Sequence, residues 1–194
     1  MMRKMNGSRR MSFVFRWVAL LLAVGGAAKA TTLARMSVAQ MSHAAQAIVR
    51  ARCVENSAGW DAGEIWTFTS FQVQEAWQGS VSGRIRVRLL GGRVGNLTSS
   101  VSGVPRFRSG EEVVLFLERT PRDDFSIVSW EQGTFRIRRE AATDSESVTQ
   151  DSASFATFDP ATRLFEAAGI RNLPMETFRA RVYAAMSAET RRKQ

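Results

Sequence analysis

Cysteine occurs once, at Cys53, and histidine once, at His43, in 194 residues. With a single cysteine no intramolecular disulfide is possible, so packing alone must hold the fold. Zinc sites draw three or four ligands from His, Cys and carboxylates, and this supply is too thin for one. A Ser-His-Asp or Cys-His site needs an imidazole, and nothing beside His43 marks a nucleophile. Gly79-Ser80-Val81-Ser82-Gly83 has the outline of a nucleophile elbow, but its centre is Val81. Lysine is nearly missing as well: Lys4, Lys29 and Lys193 stand against a large excess of arginine, which reads as coding bias. No P-loop, no Gly-x-Gly-x-x-Gly and no internal repeat is present, and no cofactor is expected.

The formal charge of +9 is unevenly placed. Six of the 27 basic residues (Arg3, Lys4, Arg9, Arg10, Arg16 and Lys29) lie in residues 1–30, and none of the 18 acids does. The remainder carries +3, which is ordinary for a soluble domain and gives no reason to expect nucleic acid. The basic start is followed by the apolar run WVALLLAVGGAA, too short for a bilayer span of roughly 20 residues. Ala28-Lys29-Ala30 then offers a signal-peptidase site before Thr31. Residues 1–30 are therefore expected to be a cleaved signal peptide, the product periplasmic or extracellular, with no stable membrane anchor. Ser8-Arg9-Arg10 leaves a twin-arginine route open, and Met1 and Met11 are alternative starts.

Apolar residues make up 44 % of the chain, enough for a core. Ser37-Val38-Ala39-Gln40 fits a capping box and predicts a short helix over 38–45. Residues 47–54 alternate, with Arg50 and Arg52 on one face and Val49, Ala51 and Cys53 on the other. Residues 55–63 read as a loop. Residues 65–77 form the strongest strand; Trp66 and Phe68 share one parity, Phe71 and Val73 the other, which a bulge or sharp coil near Thr69-Ser70 would reconcile. In 84–90, Ile85, Val87 and Leu89 turn inward and Arg84, Arg86 and Arg88 outward. Residues 91–110 are a long Gly/Ser-rich connection. Residues 113–117 are so apolar that burial on both faces is expected. Residues 125–130 and 134–137 read as a hairpin. Residues 141–172 form a polar linker, mobile over 141–154. An amphipathic helix over 173–194 presents Met175, Phe178, Val182 and Met186 on one face, expected to dock.

These elements predict a mainly β domain over 31–140, between a short N-terminal helix and a C-terminal amphipathic helix. Phase change and strand count favour a small, partly open antiparallel barrel of OB type. The candidate ligand-binding residues are Arg84, Arg86, Arg88, Gly91, Gly92 and Arg93. The three strand arginines form either a salt-bridged face, with Glu75 or Glu118 as neighbours, or an anion-binding surface beside Trp66 and Phe68. Gly91-Gly92-Arg93 is either a mobile loop or a binding lip. Trp60, Trp66, Trp77 and Trp130 are expected in core or rim positions. Asp123-Asp124 and Glu111-Glu112 lack calcium-loop spacing and read as solvated turn acids. Glu64, Glu75 and Glu131 are the carboxylates available for a carboxylate-only hydrolase.

Three segments together carry a resemblance: the capped helix leading into Ala47-Ile48-Val49; Val73-Gln74-Glu75-Ala76-Trp77-Gln78-Gly79; and Leu90-Gly91-Gly92 followed by residues 104–117. The set resembles a family of uncharacterised secreted bacterial proteins, and its order is similar to netrin-like and TIMP-like OB-fold modules over residues 38–137. Netrin-like modules rely on disulfides, which this chain cannot form. TIMP-type inhibition needs an N-terminal cysteine where this chain has Thr31, so no inhibitory residue carries over. The leading expectation is a non-enzymatic extracytoplasmic module that binds a secreted protein or an acidic polymer, with the long 91–110 loop as its binding element. An accessory or inhibitor-like partner of a secreted protease and a carboxylate-only hydrolase are the alternatives.

Overall fold

Ser37 opens the first helix as its sequence predicts. Its hydroxyl accepts from the Gln40 amide at 3.2 Å, and the Ser37 amide donates to the Gln40 side chain at 2.8 Å. This reciprocal box starts α1 (Val38–Ala44) and turns Met41 inward. The structure is a computed structural model and describes residues 34–167 and 169–192. The proposed signal peptide and Thr31 lie outside the described residues.

Among the described residues twelve strands follow: β1 (Ala47–Asp61), β2 (Glu64–Gln78), β3 (Arg84–Leu90), β4 (Gly92–Val94), β5 (Leu97–Ser99), β6 (Glu112–Arg119), β7 (Phe125–Ile127), β8 (Thr134–Glu140), β9 (Ser145–Gln150), β10 (Thr157–Asp159), β11 (Leu164–Glu166) and β12 (Leu173–Pro174). The last helix is α2 (Met175–Arg192). The main sheet runs β1-β2-β3-β7-β6-β8-β9-β12, and β1 also pairs with β6. That extra pairing closes a ring, β1-β2-β3-β7-β6-β1. Ring closure around a β1-β2-β3 meander is the OB-like arrangement expected, flanked by the two expected helices. One ring pairing is parallel and minimal: β3 meets β7 only at Val87–Phe125.

Two cores result. Inside the ring, Val49, Ala51 and Cys53 of β1 meet Phe71, Ile85, Val87, Leu89, Val113, Leu115 and Leu117. Outside it, Ile48, Val114, Phe116, Phe135 and Val148 meet Met41 of α1 and Met175, Phe178 and Val182 of α2. Strand β6 is shared, so Val113–Leu117 are buried on both faces as predicted. The α2 stripe docks as expected. Phe178 is 0 % exposed, and its ring lies 4.5 Å from Phe135 and 6.0 Å from Trp77, centroid to centroid.

Several expectations are corrected. Residues 55–61 are not a loop; they extend β1 into a long hairpin with β2, turned by Ala62-Gly63. Trp66 and Phe68 face outward while Phe71 and Val73 face inward, so their two parities are the two faces of one strand. The nearby bulge is on β1, where Val54 is passed over opposite Ser70 and Phe71. The hairpin of 125–130 with 134–137 does not form: β6 lies between β7 and β8, and a 3-10 turn at Trp130–Gly133 carries the chain across. The segment 141–172 is not a free linker. Strand β9 pairs with β8, β10 pairs with β11, and buried Gln150 ties to Gln132 and Ile170.

Truncation of Phe178 tests how much the helix contributes. Phe178→Ala is expected to lower unfolding free energy by about 3–5 kcal/mol. Urea denaturation of the purified protein measures this; a midpoint equal to wild type would show that α2 is not part of the cooperative fold.

Candidate functional site

The β3 arginines alternate with inward Ile85, Val87 and Leu89, so the pleat places all three guanidinium groups on the outer face. They differ in how firmly they are held. Arg88 has only 11 % of its side chain exposed. It pairs with Asp61 and with Asp124 at 3.4 Å, and lies 4.5 Å over the Trp66 ring. Arg86 is more than half exposed, 3.9 Å from Asp124 and 5.3 Å over Phe68. Arg84, also more than half exposed, meets exposed Glu55 at 3.7 Å. The Arg84–Glu55 pair, exposed on both sides, is worth about 0–1 kcal/mol and exchanges readily for another carboxylate. The partners are therefore Glu55, Asp61 and Asp124, and not the expected Glu75 or Glu118; Glu75 instead holds Arg179 of α2 at 3.0 Å.

The turn between β6 and β7 completes the surface. Asp124 was expected to be solvated, but it is 2 % exposed and receives the Thr120 hydroxyl. Arg122 reaches Asp61. Arg119 projects from the end of β6, 3.1 Å from Asp123 and 5.0 Å over Phe125. Arg84, Arg86 and Arg119 thus surround a shallow cleft of about 430 Å³ floored by Ile85 and Phe125. Arg119 and Phe125 were invisible as site residues in the sequence, because only the ring closure brings β6 and β7 beside β3.

The remaining candidates are elsewhere. Gly91 and Gly92 are buried, and β4 pairs with β5 to form a hairpin inside the supposed mobile loop. Gly92 has φ +143°, and a Cβ there would lie 2.5 Å from the Thr67 hydroxyl and 3.2 Å from the Ala58 methyl. The glycine pair is present so that this hairpin can lie against the inner side of β1 and β2. Exposed Arg93 follows on that hairpin and does not line the cleft of Arg84, Arg86 and Arg119. The six candidates thus do not form one site. Trp77 is buried, but Trp60 is 56 % exposed near the hairpin tip, contrary to the core or rim expected.

Other charged groups serve the fold. Arg50 binds Glu146 at 2.7 Å and Glu112 at 2.9 Å. The Arg50 hydrogen bond holds the Glu112 carboxyl down at about 2 against its burial, with Arg52 and Gln74 assisting. Arg136 binds Asp151 at 2.6 Å and Glu111 at 2.5 Å. Burial pushes the Asp151 carboxyl up, against the pull of Arg136. Burial and then the Asp151 charge push Glu131 up. The paired acids Glu111 and Glu112 are accordingly bound in these networks, not solvated. Glu64, Glu75 and Glu131 do not converge: the first two are eleven residues apart on one strand, roughly 30 Å of path or more, and Glu131 sits in the turn after β7. Burial raises the Cys53 thiol, and His43 is exposed on α1.

Two further clefts, of about 180 and 200 Å³, lie beside Asn56 and beside Gln132. In the first, Thr69 donates to Asn56 at 2.6 Å and Asn56 to the Phe107 carbonyl at 3.0 Å, so its polar lining is internally satisfied. In the second, Gln132 accepts from the Met36 amide at 2.7 Å. Among the described residues, no cluster of three or more His, Cys, Asp or Glu side chains is placed to hold a metal. Nor is any described helix long and apolar enough to cross a membrane. No family model and no curated protein matches the chain.

The two glycine roles make different predictions. Gly92→Ala is expected to destabilise the protein by at least about 1–3 kcal/mol through strain and the Thr67 collision. Thermal unfolding measures this; an unchanged midpoint would return Gly92 to the status of a binding lip.

Proposed function

We propose that this chain is an exported, non-enzymatic binding module whose ligand is an acidic macromolecule held on the arginine-lined cleft. The observation that carries the reading is the arrangement of Arg84, Arg86 and Arg119. These three more-than-half-exposed side chains surround one opening, each with only a surface carboxylate or a distant one as its ion-pair partner. Beside them Arg88 is locked by two carboxylates and an aromatic ring, which keeps the strand rigid under the loosely held pair. A rigid cationic surface attracts polyanions at long range and binds them by exchange of weak ion pairs. The basic start, short apolar run and Ala28-Lys29-Ala30 of residues 1–30 support export. The dispersal of Glu64, Glu75 and Glu131 and the surface position of His43 favour binding over hydrolysis.

Isothermal titration with heparin and with poly-glutamate tests the reading. Both are expected to bind at low salt and to weaken as salt rises. Arg84→Glu, Arg86→Glu and Arg119→Glu together are expected to reduce affinity at least about tenfold. Arg93→Glu, on the β4–β5 hairpin, is expected to leave it unchanged. Failure of both polyanions to bind, or equal losses in the two variants, would overturn the assignment.

A further inference from the structure

The cleft coincides with an incomplete edge of the ring. Strand β3 is paired with β2 along its whole length, from Arg84 opposite Gln72 to Leu90 opposite Trp66. On its other side it meets β7 only at Val87. Among the described residues, no strand pairs with Arg84–Arg86 on that side. A strand edge of this kind presents amide and carbonyl groups in the pattern that another strand completes. The cleft lies along this stretch, with Ile85 and Phe125 at its floor and Arg84, Arg86 and Arg119 at its rim.

We propose that the free edge of β3 at Arg84–Arg86 takes an extended peptide of alternating acidic and apolar residues as an added strand. The inference rests on the acidic-ligand reading above and names its partner class. Arg84 and Arg86 are two residues apart on one face, so a strand laid beside them presents its own alternate side chains in the same repeat. Carboxylates at those positions face the two guanidinium groups across the pair. The intervening side chains point the other way, toward Ile85 and Phe125, and apolar residues suit that floor. Arg119 closes the far rim, with Asp123 as its present partner to be exchanged. An acidic polysaccharide meets the arginines equally well but has no amides for the strand edge and no alternating apolar groups for the floor. The peptide therefore uses every feature of the cleft, and the polysaccharide only its charge.

A labelled octapeptide of alternating Glu and Val, titrated into the purified protein by fluorescence anisotropy, tests the proposal. Binding is expected, and Arg84→Glu with Arg86→Glu should weaken it at least about tenfold. N-methylation of alternate amides separates strand addition from simple charge attraction. One of the two alternate sets faces the β3 edge, and methylating it should weaken binding at least about tenfold, while the other set leaves affinity unchanged. Equal affinity for both methylated peptides and the parent would overturn strand addition while leaving the acidic-ligand reading intact. Binding of heparin without binding of the peptide would do the same. Binding of neither would remove both.

Discussion

Strand β6 is the element on which the rest of the structure depends. Val113, Leu115 and Leu117 point into the ring, Val114 and Phe116 point out to the helices, and all five are fully buried. A chain with one cysteine has no covalent staple, so its stability rests on apolar area removed from water. Sharing one strand between two cores lets each core rest on the other. It also explains why β8, β9 and α2 pack against the ring. The outer face of β6 is too apolar to meet water, so α1 and α2 cover it, with Phe135 of β8 and Val148 of β9 completing the same cluster.

Charge follows the same division. Around β6 and β1 the ion pairs are short and shared: Arg50 between Glu112 and Glu146, and Arg136 between Glu111 and Asp151. Each joins elements distant in sequence, and each has its acceptors within about 3 Å. At the β3 edge the pairs of Arg84 and Arg86 are long, 3.7 Å to exposed Glu55 and 3.9 Å to buried Asp124. The ring is thus tied firmly where β1 meets β6 and loosely where β3 meets β7. That asymmetry makes the second seam the place for a partner.

Local signals were legible and nonlocal ones were not. The capping box at Ser37, the alternation of Arg50/Arg52 and of Arg84/Arg86/Arg88, and the double burial of 113–117 all express short-range chemistry and stand in the structure as read. Residues 55–61 read as a loop because, apart from exposed Trp60, that hairpin arm is polar or small, so pairing leaves no hydrophobic alternation. The β7–β8 hairpin failed because adjacency in sequence was taken for adjacency in the sheet, and β6 intervenes. Strand β9 carries a single buried apolar residue, Val148, since its packing is set by the helix and sheet around it. At the site, the arginine stripe was readable, but its true neighbours Asp61, Asp124 and Arg119 come from turns and strand ends that only ring closure assembles. Gly91 and Gly92 were misplaced because glycine needed for close packing looks the same in sequence as glycine needed for motion.

Ring and helical layer form one cooperative unit joined through β6, with the seam at β3 the loosest point of the ring. Native-state hydrogen exchange resolves this directly, since each amide reports the opening that exposes it. Amides of β6 and of α2 are expected to exchange with one common free energy, that of global unfolding. Unpaired amides along Arg84–Arg86 should exchange through much smaller openings. Exchange of α2 at a free energy well below that of β6, or seam amides as protected as those of β6, would contradict it.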